Sequence, residues 1–309
     1  MSLMIGHLRI KSPWSQLGIF TGALGAGFVV ASLMMGIVAM SKGIPLAQMD
    51  KLDWSQPGVL ATMKWIQAVS SLVIFLFPAV VFALLTFTGK PFYFLGLRPA
   101  DSNSRYILAV AAVVLAFPFV LWLGEINQHI PLPSWMTGLE KDAAKQMEAF
   151  LKAGNITDVL LNVFIVALLP AVCEEICFRG ALQRIMIHLF KSPWAGIVVT
   201  AMLFSAFHLQ FQGFFPRMFL GIVLGALYWY SGSLWTSIIA HFVFNAVQVV
   251  VVSYAPKYVS ENPSMPLFAA MISGAAVFTI LWMYRRDSRV TYDKVYQTEE
   301  LNRSNQFLA

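Results

Sequence analysis

Three ionisable side chains interrupt an apolar stretch of the sequence. Glu174, Glu175 and Arg179 occur in CEEICFRG, directly after the apolar run NVFIVALLPAV. Charged groups inside a membrane-length apolar run are costly, and such residues are functional-site candidates. Glu175 precedes Arg179 by four residues, the order that favours an ion pair on a helix, so we predict that these two pair. Glu174 then lies about 100° further round the helix and remains free as a candidate general base.

Two later segments add polar side chains to apolar surroundings. His208 ends the segment FSAFH, and His241 and Asn245 begin and end HFVFN, where their spacing places them on one helix face. If Lys191 marks the turn between two antiparallel helices, Glu174 lies 17 residues before it and His208 lies 17 residues after it. These two residues are therefore predicted to lie at the same depth. We expect the four side chains to share a cavity that is reached from the cytoplasmic side.

The chemistry that these residue types support is hydrolysis of an amide bond. A carboxylate such as Glu174 beside an imidazole such as His208 can remove a proton from water and make it nucleophilic. The imidazole of His241 and the amide of Asn245 can donate hydrogen bonds to an oxyanion. A single intramembrane His or Asn more often serves as a helix–helix hydrogen-bonding partner. The joint pattern on three helices favours a site.

A zinc site is the competing chemical interpretation of the same residues. Two histidines and a glutamate can hold zinc with one position left open for water. The motif H-E-x-x-H is absent from the sequence, and its two cysteines, Cys173 and Cys177, have no zinc-type spacing. We favour a site without metal and no other cofactor, and zinc stays open as the alternative. The cysteines are predicted to be small apolar residues of a packed helix.

The composition predicts an integral membrane protein. Of the 309 residues, 58% are hydrophobic and 12% are charged, whereas soluble domains carry about a quarter charged residues. The net charge of +6 then indicates contact with an anionic membrane surface rather than with nucleic acid. The polar, basic start MSLMIGHLRIKSPWSQ and the long apolar run after it predict a retained first span rather than a cleaved signal peptide.

Apolar runs long enough to cross a bilayer predict an all-α bundle of about eight transmembrane helices. The predicted spans are Leu17–Met40, Trp65–Phe87, Tyr106–Leu123, Val159 into CEEICFRG, Trp194–Phe207, Arg217–Tyr230, Leu234–Val252 and Leu267–Tyr284.

The organisation around these spans is simple. Residues 1–309 are interpreted as a single membrane domain with a polar cytoplasmic tail at residues 285–309. The distribution of Lys and Arg favours both termini in the cytoplasm. We expect the protein to lie in the plasma (inner) membrane. Within the polar segment Gly124–Asp158, the stretch GLEKDAAKQMEAFLKAG has mixed charge and helical spacing, which predicts an amphipathic surface helix. Whether this segment gates the site is left open.

The three polar segments also match a known pattern in the same order. EEICFR fits E-E-x-x-x-R, FSAFH fits F-x-x-x-H and HFVFN fits H-x-x-x-N. The chain thereby resembles the CPBP family of intramembrane proteases, which includes the CAAX prenyl endopeptidases and bacterial Abi or bacteriocin-immunity-type proteins. The resemblance covers residues 159–250, about a third of the chain, which would form the catalytic core.

The resemblance implies an eight-helix bundle with a conical cavity open to the cytoplasm. It implies that Glu174 and His208 activate water and that His241 and Asn245 form the oxyanion site. The implied activity is glutamate-type endopeptidase cleavage of a membrane-associated protein or peptide in the lipid bilayer.

The resemblance also assigns supporting roles and leaves an alternative function. Glu175 and Arg179 would support the first motif. Some relatives imply a non-catalytic membrane immunity or binding protein instead. A proton-coupled transporter is a third interpretation, which the absence of a recognisable internal repeat in the sequence disfavours.

Overall fold

The computed structural model of the protein describes residues 8–41, 57–259 and 261–297, and these residues form helices and no β-strand. Eight of the longer helices are apolar, and one is a surface helix. In chain order they are α1 (Pro13–Ser41), α2 (Gly58–Thr86), α3 (Asn103–Gln128), α4 (Ser134–Leu151), α5 (Ile156–Phe190), α6 (Pro193–Phe207), α7 (Phe214–Ser231), α8 (Leu234–Tyr254) and α9 (Leu267–Arg286).

All eight predicted spans coincide with helices, and the all-α fold class is confirmed. Seven of them are long and apolar enough to cross a membrane, while α6 has 15 residues and is shorter. If each of the eight apolar helices in the described ranges crosses the membrane once, the N-terminal end of α1 and the C-terminal end of α9 lie on the same side. That this side is the cytoplasm stays a prediction from the distribution of Lys and Arg residues.

Local sequence signals set the helix ends next to the site. Asn155 precedes α5, and its side chain accepts a hydrogen bond from the amide of Asp158. Ser192 caps α6 in the same way, and Pro193 at the first helical position has no amide hydrogen to satisfy. Gly232 ends α7 with φ of 66°, a conformation that glycine adopts without steric cost. These short connections hold α5 to α8 side by side.

Helix α5 makes a close contact with α7 beside the site. Arg179 Nη2 donates to the carbonyl of Gly221 at 3.3 Å, and Gln183 Nε2 donates to the carbonyl of Gly225 at 3.0 Å. A Cβ atom on Gly221 would lie 2.9 Å from Ala201 Cβ on α6, and one on Gly225 would lie 2.5 Å from Gln183 Oε1. The two glycines therefore let α7 approach α5 and α6 closely, which positions Arg179.

Helix α4 is the surface helix predicted within the segment Gly124–Asp158. It buries Phe150 and Leu151 at its C-terminal end. Near its N-terminal end, the carboxylate of Glu140 accepts a hydrogen bond from the amide of Gln212 at 3.0 Å, and Trp135 packs against the ring of Phe211. Helix α4 is thus attached to the connection between α6 and α7. A gating role for it stays a prediction.

Some predictions concern residues that lie outside the described ranges. These are the proposed retained start at residues 1–7, the cations Lys42, Lys51 and Arg303 used for the orientation, and residues 298–309 of the predicted tail. Cys173 and Cys177 are described, and both are buried and free.

Candidate active site

The two glutamates of CEEICFRG lie where α5 changes its winding. Glu175 ends an α-helical stretch, Leu169–Glu175, and a π-helical stretch, Ile176–Gln183, follows it directly. A second π-helical stretch, Val163–Leu168, precedes it. A π-turn contains an extra residue, so it shifts the directions of the side chains that follow, and such turns often occur at functional sites.

Glu175 contacts two other ionisable side chains inside the bundle. Its Oε1 lies 2.6 Å from Arg179 Nη1, which confirms the predicted pair, and 2.8 Å from His241 Nδ1 on α8. The side chain is 0% exposed, and its Oε2 has no hydrogen-bond partner among the described residues. The carboxylate of Glu175 therefore compensates the charge of Arg179 and also fixes the imidazole of His241.

The hydrogen bond that His241 donates to Glu175 determines how the imidazole faces Glu174. A carboxylate accepts, so Nδ1 of His241 carries a hydrogen atom, and Nε2 is the ring nitrogen that points the other way. Nε2 lies 4.0 Å from Oε2 of Glu174. This distance is too long for a direct hydrogen bond and suits a water molecule between the two groups. The side chain of Glu174 is 11% exposed and that of Glu175 is 0% exposed, so Glu174 is the more accessible member of the acidic pair.

Arg179 is buried by an aromatic ring as well as by its polar partners. Its guanidinium carbon lies 4.5 Å from the ring centroid of Phe204 on α6. A desolvated cation over an aromatic face contributes up to about 2 kcal/mol. The bonds to Glu175 and to the carbonyl of Gly221 occupy the two terminal nitrogens. Arg179 thus joins α5 to both α6 and α7.

The ring of Phe204 also lies next to both histidines. The ring of His208 lies 5.0 Å from that of Phe204, and the ring of His241 lies 5.9 Å from it, both edge-on. The sequence pattern identifies Phe204 as the first letter of F-x-x-x-H but assigns it no role. The structure shows that its ring contacts both imidazoles.

His208 is exposed at the end of α6. Its Nδ1 lies 2.8 Å from the carbonyl oxygen of Phe204. Because a carbonyl accepts, Nδ1 donates, and Nε2 is left with a free lone pair. Among the described residues, His208 and Glu174 make no direct bond. To act together, the two side chains would both have to contact a substrate or water molecule that lies between them.

Asn245 follows His241 by one turn of α8 and is half-buried. Its side-chain amide makes no hydrogen bond within the part of the chain that the structure describes. A free amide one turn from Nε2 of His241 can donate to a bound group. This position is compatible with the expected oxyanion role of Asn245, which stays a prediction.

Arg217 is a charged neighbour that the sequence reasoning missed. It lies in the first turn of α7 and interacts electrostatically with Glu174 and with His208. The signal that could have revealed it is a cation inside the apolar stretch FFPRMF, because such a position is costly unless it has a use.

The donor set around Glu174 and His241 does not favour the metal alternative. Within residues 8–41, 57–259 and 261–297, no group of three or more His, Cys, Asp or Glu side chains is placed to hold a metal ion. Glu174 and His241 are neighbours, but the oxygen of Glu175 that reaches His241 also binds Arg179. A cation beside that carboxylate disfavours a second cation on it.

Comparison with known proteins identifies the same part of the chain as the motifs do. Residues 156–247 match the family model described as type II CAAX prenyl endopeptidase Rce1-like, close to the expected catalytic core at 159–250. No curated protein and no solved structure shows a significant match. The matched residues contain Glu174, His208, His241 and Asn245. The similarity of residues 156–247 to this family model supports the resemblance to the CPBP intramembrane proteases that the three motifs indicate.

Proposed function

We propose that the protein is an intramembrane endopeptidase of glutamate type. The observation that carries the proposal is that Glu174 Oε2 and His241 Nε2 face each other, 4.0 Å apart. The other ring nitrogen of His241, Nδ1, is bound to Glu175. The side chain of Glu174 is slightly exposed and has no direct ion pair, whereas that of Glu175 is wholly buried and paired. A site with one free and one constrained carboxylate suits general base catalysis by the free one.

In the proposed reaction, Glu174 removes a proton from a water molecule as the water oxygen bonds to the carbonyl carbon of the scissile peptide. His208 accepts a hydrogen bond from that water through its free Nε2. The oxyanion that forms receives hydrogen bonds from the amide of Asn245 and from a protonated His241 Nε2. The C–N bond then breaks, and the proton on Glu174 passes to the departing amine.

Glu175 and Arg179 support this reaction without touching the substrate. The carboxylate of Glu175 stabilises the charge on a protonated His241, and Arg179 keeps that carboxylate ionised and fixed in place. A buried ion pair of this kind is costly to assemble and strongly position-dependent. Its expected contribution is the orientation of His241 rather than added stability.

The proposed substrate is a membrane-associated protein or peptide that reaches the site within the bilayer. The match to type II CAAX prenyl endopeptidases supports this class. We also propose that the protein lies in the plasma (inner) membrane and that both termini face the cytoplasm, the orientation that the Lys and Arg distribution favours. Reporter fusions to the C-terminus would test the orientation.

The proposal is tested with purified protein and a library of membrane peptides. Cleavage by the wild type should be lost in Glu174→Ala and His208→Ala. Glu148 lies exposed on α4, so Glu148→Gln is a matched control that should cleave like the wild type. Full cleavage by both site variants would contradict the mechanism. Binding of a peptide without cleavage by the wild type would favour the non-catalytic immunity or binding role.

The choice between glutamate and zinc chemistry has its own test. We expect a strong chelator to leave cleavage unchanged and metal analysis of the active protein to give far less than one zinc per chain. Loss of activity with chelator and its return with zinc would overturn the glutamate mechanism.

A further inference from the structure

The two ends of the helix bundle are distinguished by the contacts between its helices. At one end, the amide of Arg9, just before α1, donates to the carbonyl of Thr86, the last residue of α2, at 2.7 Å. The connection that follows α2 leads to the first turn of α3, where Nη1 of Arg105 donates to the carbonyl of Tyr284 on α9 at 3.0 Å. We call this the terminal end, because the start of α1 and the end of α9 lie there.

The opposite end carries the surface helix α4. Asn262, in the connection between α8 and α9, donates to the carbonyl of Leu121 on α3 at 2.7 Å. The side chain of Asn127, near the end of α3, donates to the carbonyl of Phe211, in the connection between α6 and α7, at 2.9 Å. Helix α4 follows α3 and is attached to the same connection through Glu140. These segments define the α4 end of the bundle.

A short helix closes the terminal end beneath the site. This helix, Pro91–Leu95, lies in the connection between α2 and α3. The side chains of Leu95 and of Leu234, the first residue of α8, are 0% exposed. A Cβ atom on Gly180 of α5 would lie 3.1 Å from Leu234 Cδ1 and 3.4 Å from the carbonyl oxygen of Leu95. These three segments therefore leave no room for a water molecule at this position.

The residues between this closure and the site are buried on α5 and on α8. Every residue of α5 from Cys173 to Gln183 is buried. On α8, Ser237 lies one turn before His241, towards the terminal end, and is 0% exposed. The proposed hydrolysis needs a water molecule at Glu174. The described residues leave no open route for it from the terminal end.

The partly exposed side chains of the site lie towards the α4 end instead. Asn245 is half-buried and lies one turn beyond His241 in that direction. His208 is exposed and lies three positions before Phe211, the residue that Asn127 holds at the α4 end. The groups that would contact the scissile peptide are therefore reached from the α4 end.

The distribution of cations indicates which end faces the cytoplasm, because cytoplasmic connections carry an excess of Lys and Arg. Among the described residues, the terminal end carries Arg9, Lys11, Lys90, Arg98, Arg105, Arg184, Lys191, Arg285, Arg286, Arg289 and Lys294. The α4 end carries the shorter set Lys64, Lys141, Lys145, Lys152, Arg217 and Lys257. This asymmetry favours a cytoplasmic terminal end.

We propose that the site receives its substrate through the α4 end and that this end faces away from the cytoplasm. The inference rests on the proposed function and specifies the substrate as a membrane-anchored chain whose scissile bond lies on the non-cytoplasmic side. The opening is thus opposite to the cytoplasmic one that the family resemblance implies. Substrates of this class are proteins or peptides whose cleaved segment has already crossed the membrane.

The first test labels single introduced cysteines with a charged, membrane-impermeant maleimide. Asn245→Cys should react in right-side-out membrane vesicles and not in inverted ones, because water reaches this position through the α4 end. Ser237→Cys, on the buried side of His241, is the matched control on the same helix and should react in neither. The wild type, whose Cys173 and Cys177 are buried, gives the background. Thermal unfolding in detergent establishes that each variant is folded.

Two exposed positions report the orientation of the bundle in the same vesicles. Lys141→Cys on α4 should react only in right-side-out vesicles, and Arg289→Cys after α9 only in inverted ones. Labelling of Asn245→Cys from the cytoplasmic side would overturn the inference. Agreement with Lys141→Cys would then assign the error to the orientation, and agreement with Arg289→Cys would assign it to the opening. A folded Asn245→Cys that reacts from neither side would overturn the opening as well.

The second test measures cleavage of a membrane-anchored peptide with a charged tail, added from outside the vesicles. Right-side-out vesicles should cleave it at least about 10-fold faster than inverted vesicles with the same amount of enzyme, because the charged tail does not cross the hydrocarbon core. Equal rates, or faster cleavage by inverted vesicles, would overturn the inference and leave the endopeptidase intact. Failure to cleave in detergent, where both ends are accessible, would overturn the proposed function, while the labelling would still decide where the site opens.

Discussion

Oε1 of Glu175 lies 2.8 Å from Nδ1 of His241, although the two residues are 66 positions apart in the chain. The same oxygen lies 2.6 Å from Arg179 Nη1. One buried carboxylate oxygen therefore connects the E-E-x-x-x-R motif on α5 to the H-x-x-x-N motif on α8. This connection gives the two adjacent glutamates different environments and different expected roles.

The first prediction is that the two glutamates are not interchangeable. Glu174→Gln should abolish hydrolysis and leave the unfolding temperature close to that of the wild type, because Glu174 makes no directly hydrogen-bonded ion pair among the described residues. Glu175→Gln should destabilise the protein by about 3 kcal/mol or more, since it leaves Arg179 buried without its charge partner. Peptide cleavage and thermal unfolding in detergent measure the two effects. Equal losses of activity with equal losses of folded protein would contradict the division.

The second prediction separates the two nitrogens of His241. In His241→Asn, the amide can take the place of Nδ1 and still donate to Glu175, but nothing replaces Nε2. We expect this variant to unfold at nearly the wild-type temperature and to lose activity by about 100-fold or more, the scale for removing an oxyanion donor.

The companion variant His241→Gln places its amide at the position of Nε2 instead. It should retain more activity than His241→Asn and be less stable, because Glu175 loses its hydrogen bond from the ring. The order of the two variants in cleavage should thus be the reverse of their order in thermal stability. The same order in both assays would show that Nε2 has no separate function.

The third prediction concerns Phe204, whose ring lies against Arg179 and beside both histidines. Phe204→Leu keeps an apolar side chain but removes the aromatic face. We expect a loss of about 1–2 kcal/mol of stability from the cation–π contact and a reduced kcat, because the imidazoles are less well oriented. Phe207, one turn away and partly exposed, provides the control Phe207→Leu, which should affect kcat much less. Equal kinetic effects would assign Phe204 to packing alone.

The sequence was sufficient to locate the helices because membrane spans need long apolar runs, which can be recognised in a single sequence. It also predicted the pair of Glu175 with Arg179, since four-residue spacing fixes their geometry on a single helix.

Contacts between helices were less predictable. Residue counting from Lys191 predicts that Glu174 and His208 lie at equal depth, but depth does not determine the rotation of each helix. The bond from His241 to Glu175 depends on that rotation and on the π-helical winding after Glu175. The environment of Arg217 depends on the path of residues 208–213, which periodicity does not describe.

The fourth prediction tests the close contact that positions Arg179. Gly221→Ala places a methyl group 2.9 Å from Ala201 Cβ and 3.1 Å from its Cα, so α7 must move away from α6. We expect a loss of about 1–3 kcal/mol, typical of overpacking, measured by thermal unfolding in detergent. Activity should fall as well, because the carbonyl of Gly221 moves away from Arg179.

The matched control for this contact is Gly22 on α1, where an added Cβ atom would meet nothing within 4 Å. Gly22→Ala should therefore be neutral or stabilising by up to about 1 kcal/mol, since alanine is the better helix former. Similar unfolding temperatures for Gly221→Ala and Gly22→Ala would show that α6 and α7 have room to separate. The position of Arg179 would then not depend on their contact, and the two glycines of α7 would have no special part in building the site.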